Sequence, residues 1–231
     1  MSVALVTGAT KGIGRATALA LAAAGHDLLL TGRNETELVE LAGQIKGVRV
    51  VTVAADLATY EGLDAVCMTA IQQFDGYDIL INNAGMGAVK PATEVSDEEF
   101  DRTIAINLRA PFMLCQHAIK VMRRRGGGQI VNIGSGLSYT GRANWSLYAA
   151  TKFALRGLTE SLRQEVSGEG IKVGLVAPGF TATNFFDDFA EPVDTSKALQ
   201  PEDVAHAILS MVQQPATSDM KEIQVRNSLS P

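Results

Sequence analysis

Six short runs rich in β-branched residues and leucine, Val3 to Val6, Asp27 to Leu30, Val48 to Val53, Ile79 to Ile81, Gln129 to Ile133 and Lys172 to Val176, are separated by longer stretches of helical periodicity. This alternation leaves few options. Runs that are apolar on both faces and divided by helices form the strands of a parallel sheet with both faces covered. The expected fold is therefore α/β and doubly wound. At 231 residues and 46% hydrophobic composition the chain can bury one full core. No interior stretch is rich enough in Pro, Ser or charge to act as a linker, and no repeat is visible, so a single domain over residues 1–231 is expected.

Charge and cysteine content remove several function classes. A formal net charge of −5 with a pI near 5.3 argues against nucleic acid, which needs a concentrated basic face. The one basic run, Arg123-Arg124-Arg125 before Gly126, reads as the end of a helix, where cations suit the dipole. Cys67 and Cys115 are too few for a disulfide framework and lack metal-ligand spacing; they read as reduced thiols of a cytoplasmic protein without a metal. Val3 to Val6 runs straight into glycines, with no secretory pattern. The longest apolar tract, Ala16 to Ala24, is about half of the ~20 residues a membrane-spanning helix needs, so no membrane partner is expected.

Two helices stand out. Ser96-Asp97-Glu98-Glu99 is a capping-box pattern that opens a helix toward about Arg124, with Phe100, Ile104, Leu108 and Phe112 recurring at every fourth position. Asn107 lies inside that apolar pattern, where a buried amide must find partners. A second helix is expected over about Asn144 to Val166, with Leu155, Leu158 and Leu162 on its apolar stripe.

The stretch Thr7-Gly8-Ala9-Thr10-Lys11-Gly12-Ile13-Gly14 follows the first strand and opens a helix. A helix N-terminus offers unpaired N–H groups to an anion, and glycines remove the Cβ atoms that would block its approach. Strand before and helix after turn a weak glycine pattern into a dinucleotide site rather than a plain tight turn. Tyr148 and Lys152 stand four residues apart, on one helix face. Ser135 follows the apolar strand Ile130 to Ile133, at the strand end where doubly wound sheets place ligands. Alone, the Tyr–Lys pair also suits a surface contact and Ser135 a glycine-rich turn.

Together these residues resemble the classical short-chain dehydrogenase/reductase family. The glycine stretch matches its cofactor loop, Asn82-Asn83-Ala84-Gly85 its sheet-stabilising motif, and Tyr148-x-x-x-Lys152 its catalytic signature; Ser135 stands thirteen positions before Tyr148. The resemblance spans nearly the whole chain. It implies a single-domain Rossmann fold with a seven-stranded parallel sheet in the order 3-2-1-4-5-6-7, and a homo-oligomer, dimer or tetramer. It also implies a catalytic set of Asn107, Ser135, Tyr148 and Lys152, with Lys152 on the nicotinamide ribose and Asn107 holding a water. Around the cofactor it adds Gly8, Thr10, Gly12, Ile13 and Gly14, then Asp56-Leu57 near adenine, Asn83, Ala84 and Gly85 along the cleft, and Pro178-Gly179 with Thr183 near the carboxamide. Tyr148 would exchange a proton with the substrate oxygen, its pKa drawn down from ~10 by the Lys152 cation and an oxidised nicotinamide. Ser135 would hydrogen-bond the same oxygen.

The second strand ends in Thr31-Gly32-Arg33. An acidic residue there would accept hydrogen bonds from the adenosine ribose hydroxyls of NAD. Gly32 takes that place, and Arg33 with Lys11 could grip a 2′-phosphate, so NADP(H) is the expected cofactor. The expected activity is interconversion of a carbonyl compound and a secondary alcohol. A silent NADP-sensing regulator would be expected to lack one of the four catalytic residues, and an NAD-preferring alcohol dehydrogenase would share the fold. The segment from Thr183 to Leu199, with Phe185, Phe186 and Phe189, departs from common members where the family builds its substrate pocket, and Glu222 to Pro231 lacks the usual glycine-containing final loop.

Overall fold

The computed structural model describes residues 2–87, 89–186 and 197–227, with the side chain of Phe186 left aside. Phe189 and the last four residues lie outside the described set. Strands and helices alternate as β1 (Val3–Thr7), α1 (Gly12–Ala23), β2 (Asp27–Gly32), α2 (Glu35–Gln44), β3 (Val50–Ala54), α3 (Tyr60–Phe74) and β4 (Ile79–Asn82). They continue with α4 (Asp97–Ile104), a π turn (Ala105–Arg109), α5 (Ala110–Arg125), β5 (Gly128–Ile133), α6 (Ser146–Glu165), β6 (Ile171–Pro178), α7 (Pro201–Val212) and β7 (Glu222–Val225).

The sheet has seven strands in the order β3-β2-β1-β4-β5-β6-β7, and every pairing is parallel, as the family resemblance implies. Side chains of one strand alternate between two cores. On one face, Val3 and Leu5 of β1 join Leu63 and Val66 of α3, Leu114 and Met122 of α5 and Leu162 of α6. Ala4 and Val6 face the other side, with Ala18 and Leu21 of α1, Leu38 of α2 and Ile208 of α7. Each fully buried leucine contributes about 1.5–3 kcal/mol of transfer free energy.

β7 does not read as an apolar run because it is an edge strand, in which exposed Glu222 and Gln224 alternate with half-buried Ile223 and Val225. It pairs with β6 alone.

The capping box is present: Ser96 Oγ accepts the Glu99 N–H at 3.2 Å, and Glu99 accepts the Ser96 N–H at 3.0 Å. Phe100 and Phe112 are 50% and 47% exposed, so the stripe at every fourth position does not face the sheet. The buried line is Thr103, Asn107, Ala110, Leu114 and Ala118, displaced from it around the helix. Both lines keep helical spacing, and spacing alone does not say which one meets a sheet. The helix also widens into the π turn at Asn107, a departure that sequence periodicity does not register. Arg123 and Arg125 do close α5, paired with Glu169 and Asp78, and Gly126 follows with φ of 84°. Among the described residues no helix is long and apolar enough to cross a membrane.

Candidate active site

Because all strands run in parallel, their carboxyl ends lie along one edge, and the predicted residues follow those ends. Gly8 to Gly14 comes after β1, Arg33 after β2, Asp56 after β3, Asn83 after β4, Ser135 after β5 and Gly179 after β6. Chain crossings at such an edge open a crevice for ligands.

The glycine loop is held by backbone geometry. Gly8 and Gly12 have φ of 62° and 51°, which side chains with a Cβ rarely adopt. A Cβ on Gly14 would stand 2.1 Å from the Gly8 carbonyl oxygen. Asn83 Nδ2 donates to the carbonyls of Thr7 and Gly8 at 2.9 and 3.1 Å, and Thr7 Oγ1 accepts the N–H groups of Asn83 and Ala84, both at 2.9 Å. The Asn83 amide is thus occupied in pinning the loop to β4. Asn82 stabilises the sheet itself, donating to Asn132 Oδ1 at 2.8 Å across to β5. Lys11 is the N-cap of α1 and gives no side-chain cap, so the first N–H groups of α1 have none from a side chain. This loop fits a dinucleotide pyrophosphate: the backbone lies bare and its donors point out of a helix start. Thr10 lies against Gly32, Ile13 packs into the core, and the Thr183 methyl would be 3.0 Å from a Cβ on Gly12.

At the β2 end of the crevice, Arg33 is exposed just beyond the strand. Lys11 Nζ makes a 3.0 Å ion pair with Glu37 of α2, a partner the sequence did not single out. Asp56 accepts the Ala58 N–H at 3.0 Å and a 3.0 Å bond from Arg102, and Leu57 is buried beside it. Burial works against the Asp56 carboxylate, but the Ala58 N–H and the Arg102 guanidinium outweigh it and hold its pKa below the usual value. Its carboxylate is therefore engaged in the turn and an ion pair.

At the other end of the crevice, Tyr148 and Lys152 of α6 are 8% and 5% exposed and stand on one face. The Ser135 hydroxyl acts on the Tyr148 phenol, favouring its ionised form, while its Oγ accepts the Leu137 N–H at 3.1 Å. Lys152 Nζ donates to the Ile133 carbonyl at 2.8 Å and lies 5.5 Å from the Tyr148 ring centre. Burial pushes the Tyr148 phenol up to about 12, with Ser135 working the other way, and draws Lys152 down to about 8. Desolvation thus outweighs the downward influence of Ser135 on the phenol.

Asn107 sits in the π turn and is fully engaged. Its Oδ1 accepts the Met86 N–H at 2.9 Å, and its Nδ2 donates to Met86 O at 2.8 Å and Thr151 Oγ1 at 3.1 Å. The side chain therefore ties the segment after β4 to α6. Gly85 lies between, where a Cβ would be 3.5 Å from Asn107 Oδ1 and 3.8 Å from Lys152 Nζ. Pro178 ends β6, and the Gly179 N–H donates to Val225 O at 2.7 Å, which brings β7 up to the site. Sequence reasoning missed Trp145, whose ring meets the Tyr148 ring edge-on at 5.5 Å. Its place three residues before Tyr148, about one helical turn away, was the available signal.

The short chain dehydrogenase family matches residues 2–194. An uncharacterized oxidoreductase of Staphylococcus aureus (strain USA300) is 34% identical over 224 residues, covering 97% of this chain and 96% of that protein. A metagenomic short-chain oxidoreductase in complex with NADP superimposes with a TM-score of 0.87 at 31% identity, over 99% of this chain and 98% of that one. The 3-ketoacyl-(acyl-carrier-protein) reductase from Brucella melitensis complexed with NADH gives a TM-score of 0.90 at 28% identity, over 100% and 98%.

Proposed function

Since the chain belongs to the short chain dehydrogenase family of oxidoreductases, we propose that it interconverts a carbonyl compound and a secondary alcohol with NADP(H). The observation that carries this reading is the meeting of Ser135, Tyr148 and Lys152 at the strand-end edge that also holds the glycine loop. A nicotinamide dinucleotide, when bound, supplies the hydride in reduction and accepts it in oxidation.

The remaining steps belong to this chain. In reduction, the Tyr148 hydroxyl gives its proton to the carbonyl oxygen as the carbon is reduced, and Ser135 donates a hydrogen bond to that oxygen as charge develops. A phenol pushed up to about 12 by burial holds its proton at neutral pH, as an acid must. Lys152, drawn down to about 8 by burial, is near enough to neutrality to return a proton to the phenolate. Asn107 is a positioning residue, fixing Met86 and Thr151 around the pair. Gly8, Gly12, Ile13 and Gly14 would cradle the pyrophosphate, with Asn83, Ala84, Gly85, Pro178, Gly179 and Thr183 along the nicotinamide half and Asp56-Leu57 near adenine.

Support for NADP(H) over NAD(H) comes from Lys11, Arg33 and the absence of a carboxylate at Gly32. The relatives are mixed, since the metagenomic protein was solved with NADP and the Brucella protein with NADH. The Lys11–Glu37 pair does not close the site to a phosphate. Lys11 is 56% exposed, and such pairs contribute about 0–1 kcal/mol. Phe100, Phe112 and Phe153, each about half exposed on α4, α5 and α6, suit the face of a homo-oligomer. A cytoplasmic setting goes with the two free cysteines.

The test is NADPH oxidation across a panel of ketones. Tyr148→Phe should lower kcat by about 10²–10⁴-fold while NADPH still binds, because only the proton donor is lost. Retention of most of the wild-type rate would remove Tyr148 as the acid.

A further inference from the structure

The wall beside Tyr148 is aromatic on two sides. Phe185, in the short helical turn Asn184–Phe186, lies 5.4 Å from the Tyr148 ring at 58°. It also lies 6.5 Å from Trp145 with the two planes only 12° apart. On its far side the ring reaches the segment after β4: a Cβ on Gly87 would stand 2.4 Å from Phe185 Cζ. Two residues earlier, Thr183 rests over Gly12. The chain after β6 therefore crosses the crevice, with Thr183 at the cofactor loop and Phe185 between Gly87 and the catalytic tyrosine. Both Phe185 and Trp145 keep part of their surface accessible.

We propose that the substrate carries a flat apolar ring next to its carbonyl, an aryl ketone or the matching benzylic alcohol, held against Phe185 and Trp145 while its oxygen meets Tyr148 and Ser135. This rests on the carbonyl-reduction reading and narrows its substrate class. A rigid ring gains edge and face contacts with Trp145 and Phe185 and loses little conformational freedom. A ketose placed there would turn hydroxyls against ring faces that offer them few hydrogen bonds, and each hydroxyl desolvated without a partner weakens binding. A flexible acyl thioester would lose more rotamer freedom for the same contact.

Trp145 is the one tryptophan in the chain, so its fluorescence reports on this wall without any need for turnover. With NADP⁺ present, titration with acetophenone should quench Trp145 saturably, and dihydroxyacetone at the same concentrations should not. Phe185→Ala should weaken the acetophenone response by about fivefold to tenfold. Phe185→Leu, which keeps apolar bulk and guards against misfolding, should weaken it by about twofold to threefold. The same ketones are then assayed for NADPH oxidation by the wild-type protein. Equal acetophenone affinity in wild type and both Phe185 variants overturns the proposal, as does turnover of dihydroxyacetone or acetoacetyl thioester with kcat/KM at or above that of acetophenone. Quenching that depends on Phe185, with no ketone in the panel reduced, supports the aromatic site and removes the redox reading instead.

Discussion

The two ends of the crevice are built from different materials. At the phosphate end the shape is backbone. A methyl group on Gly14 would meet the Gly8 carbonyl at 2.1 Å, and the main chain is pinned there by the Asn83 amide, which donates to the Thr7 and Gly8 carbonyls, and by Thr7 Oγ1, which accepts the Asn83 and Ala84 N–H groups. At the carbonyl end the shape is side chain: Ser135 after β5, Trp145, Tyr148 and Lys152 at the start of α6 and Phe185 after β6 come from three segments, and a Cβ on Gly85 would find ordinary contact distances of 3.5 and 3.8 Å. The first end, which on the proposed reading would hold a group with fixed phosphate geometry, has no slack. The second can change its side chains without disturbing the sheet.

The sharpest break in that comparison is a pair of alanines. Gly14→Ala forces the Gly8 loop to move, so NADPH affinity should fall at least about 100-fold and the fold should lose about 1–3 kcal/mol. Gly85→Ala should change thermal stability by less than about 1 kcal/mol. Thermal unfolding and NADPH titration of both variants check the contrast, and comparable losses at the two positions would erase it.

A smaller effect in stability, with opposite signs for fold and activity, is expected at Lys152. Its pKa lies near 8 in the folded protein, depressed by burial, against ~10.4 in an unfolded chain. Between these values the unfolded state holds more protons, so wild-type stability rises with pH from about 8 to 10.4, and the buried cation is a net cost below pH 8. Lys152→Met removes that cost along with the bond to Ile133 O. It should gain about 1–2 kcal/mol at pH 7, or a few degrees in Tm, with the gain shrinking above pH 8. Activity should fall at least about 100-fold. A variant less stable than wild type at pH 7 would mean that the cation is well solvated.

What the sequence showed and what it hid divide along the same line as the two ends. Parallel strands with both faces buried read as apolar runs, and their carboxyl ends pointed to Gly8 and Ser135, whereas Asn83 and Gly179 came only with the family resemblance. Edge strand β7 was hidden because half of its residues face water. The outward Phe100–Phe112 line and the inward Asn107–Leu114 line have the same period, so only the position of the sheet separates them. Asn107 was legible as a polar intruder, but its bonds to Met86 and Thr151 depend on a π turn. Phe185 was visible as part of an unusual aromatic segment. That it faces Trp145 and Tyr148 depends on the path of the chain after β6. That burial raises the Tyr148 phenol is not written in the spacing of a tyrosine and a lysine.

The smallest expected effect lies at the phosphate end and concerns Glu37. On the NADP(H) reading Lys11 and Arg33 would meet a 2′-phosphate, yet in the structure Lys11 pairs with Glu37 at 3.0 Å. A phosphate with close to two negative charges competes for that lysine with a single carboxylate, and both sites are open to water. If Lys11 does turn to the phosphate, Glu37 holds it back and also repels the anion. Glu37→Gln should then tighten NADPH binding by about twofold to fivefold at low salt and leave NADH unchanged, the gain fading as ionic strength screens the charges. Lys11→Ala with Arg33→Ala should act in the opposite sense and raise the KM for NADPH toward that for NADH. Paired titrations with the two cofactors at two salt concentrations separate the cases. Equal gains for NADPH and NADH in Glu37→Gln would place the effect on the shape of α2 rather than on charge, and no gain for either would leave Lys11 paired with Glu37 while the phosphate rests on Arg33 alone.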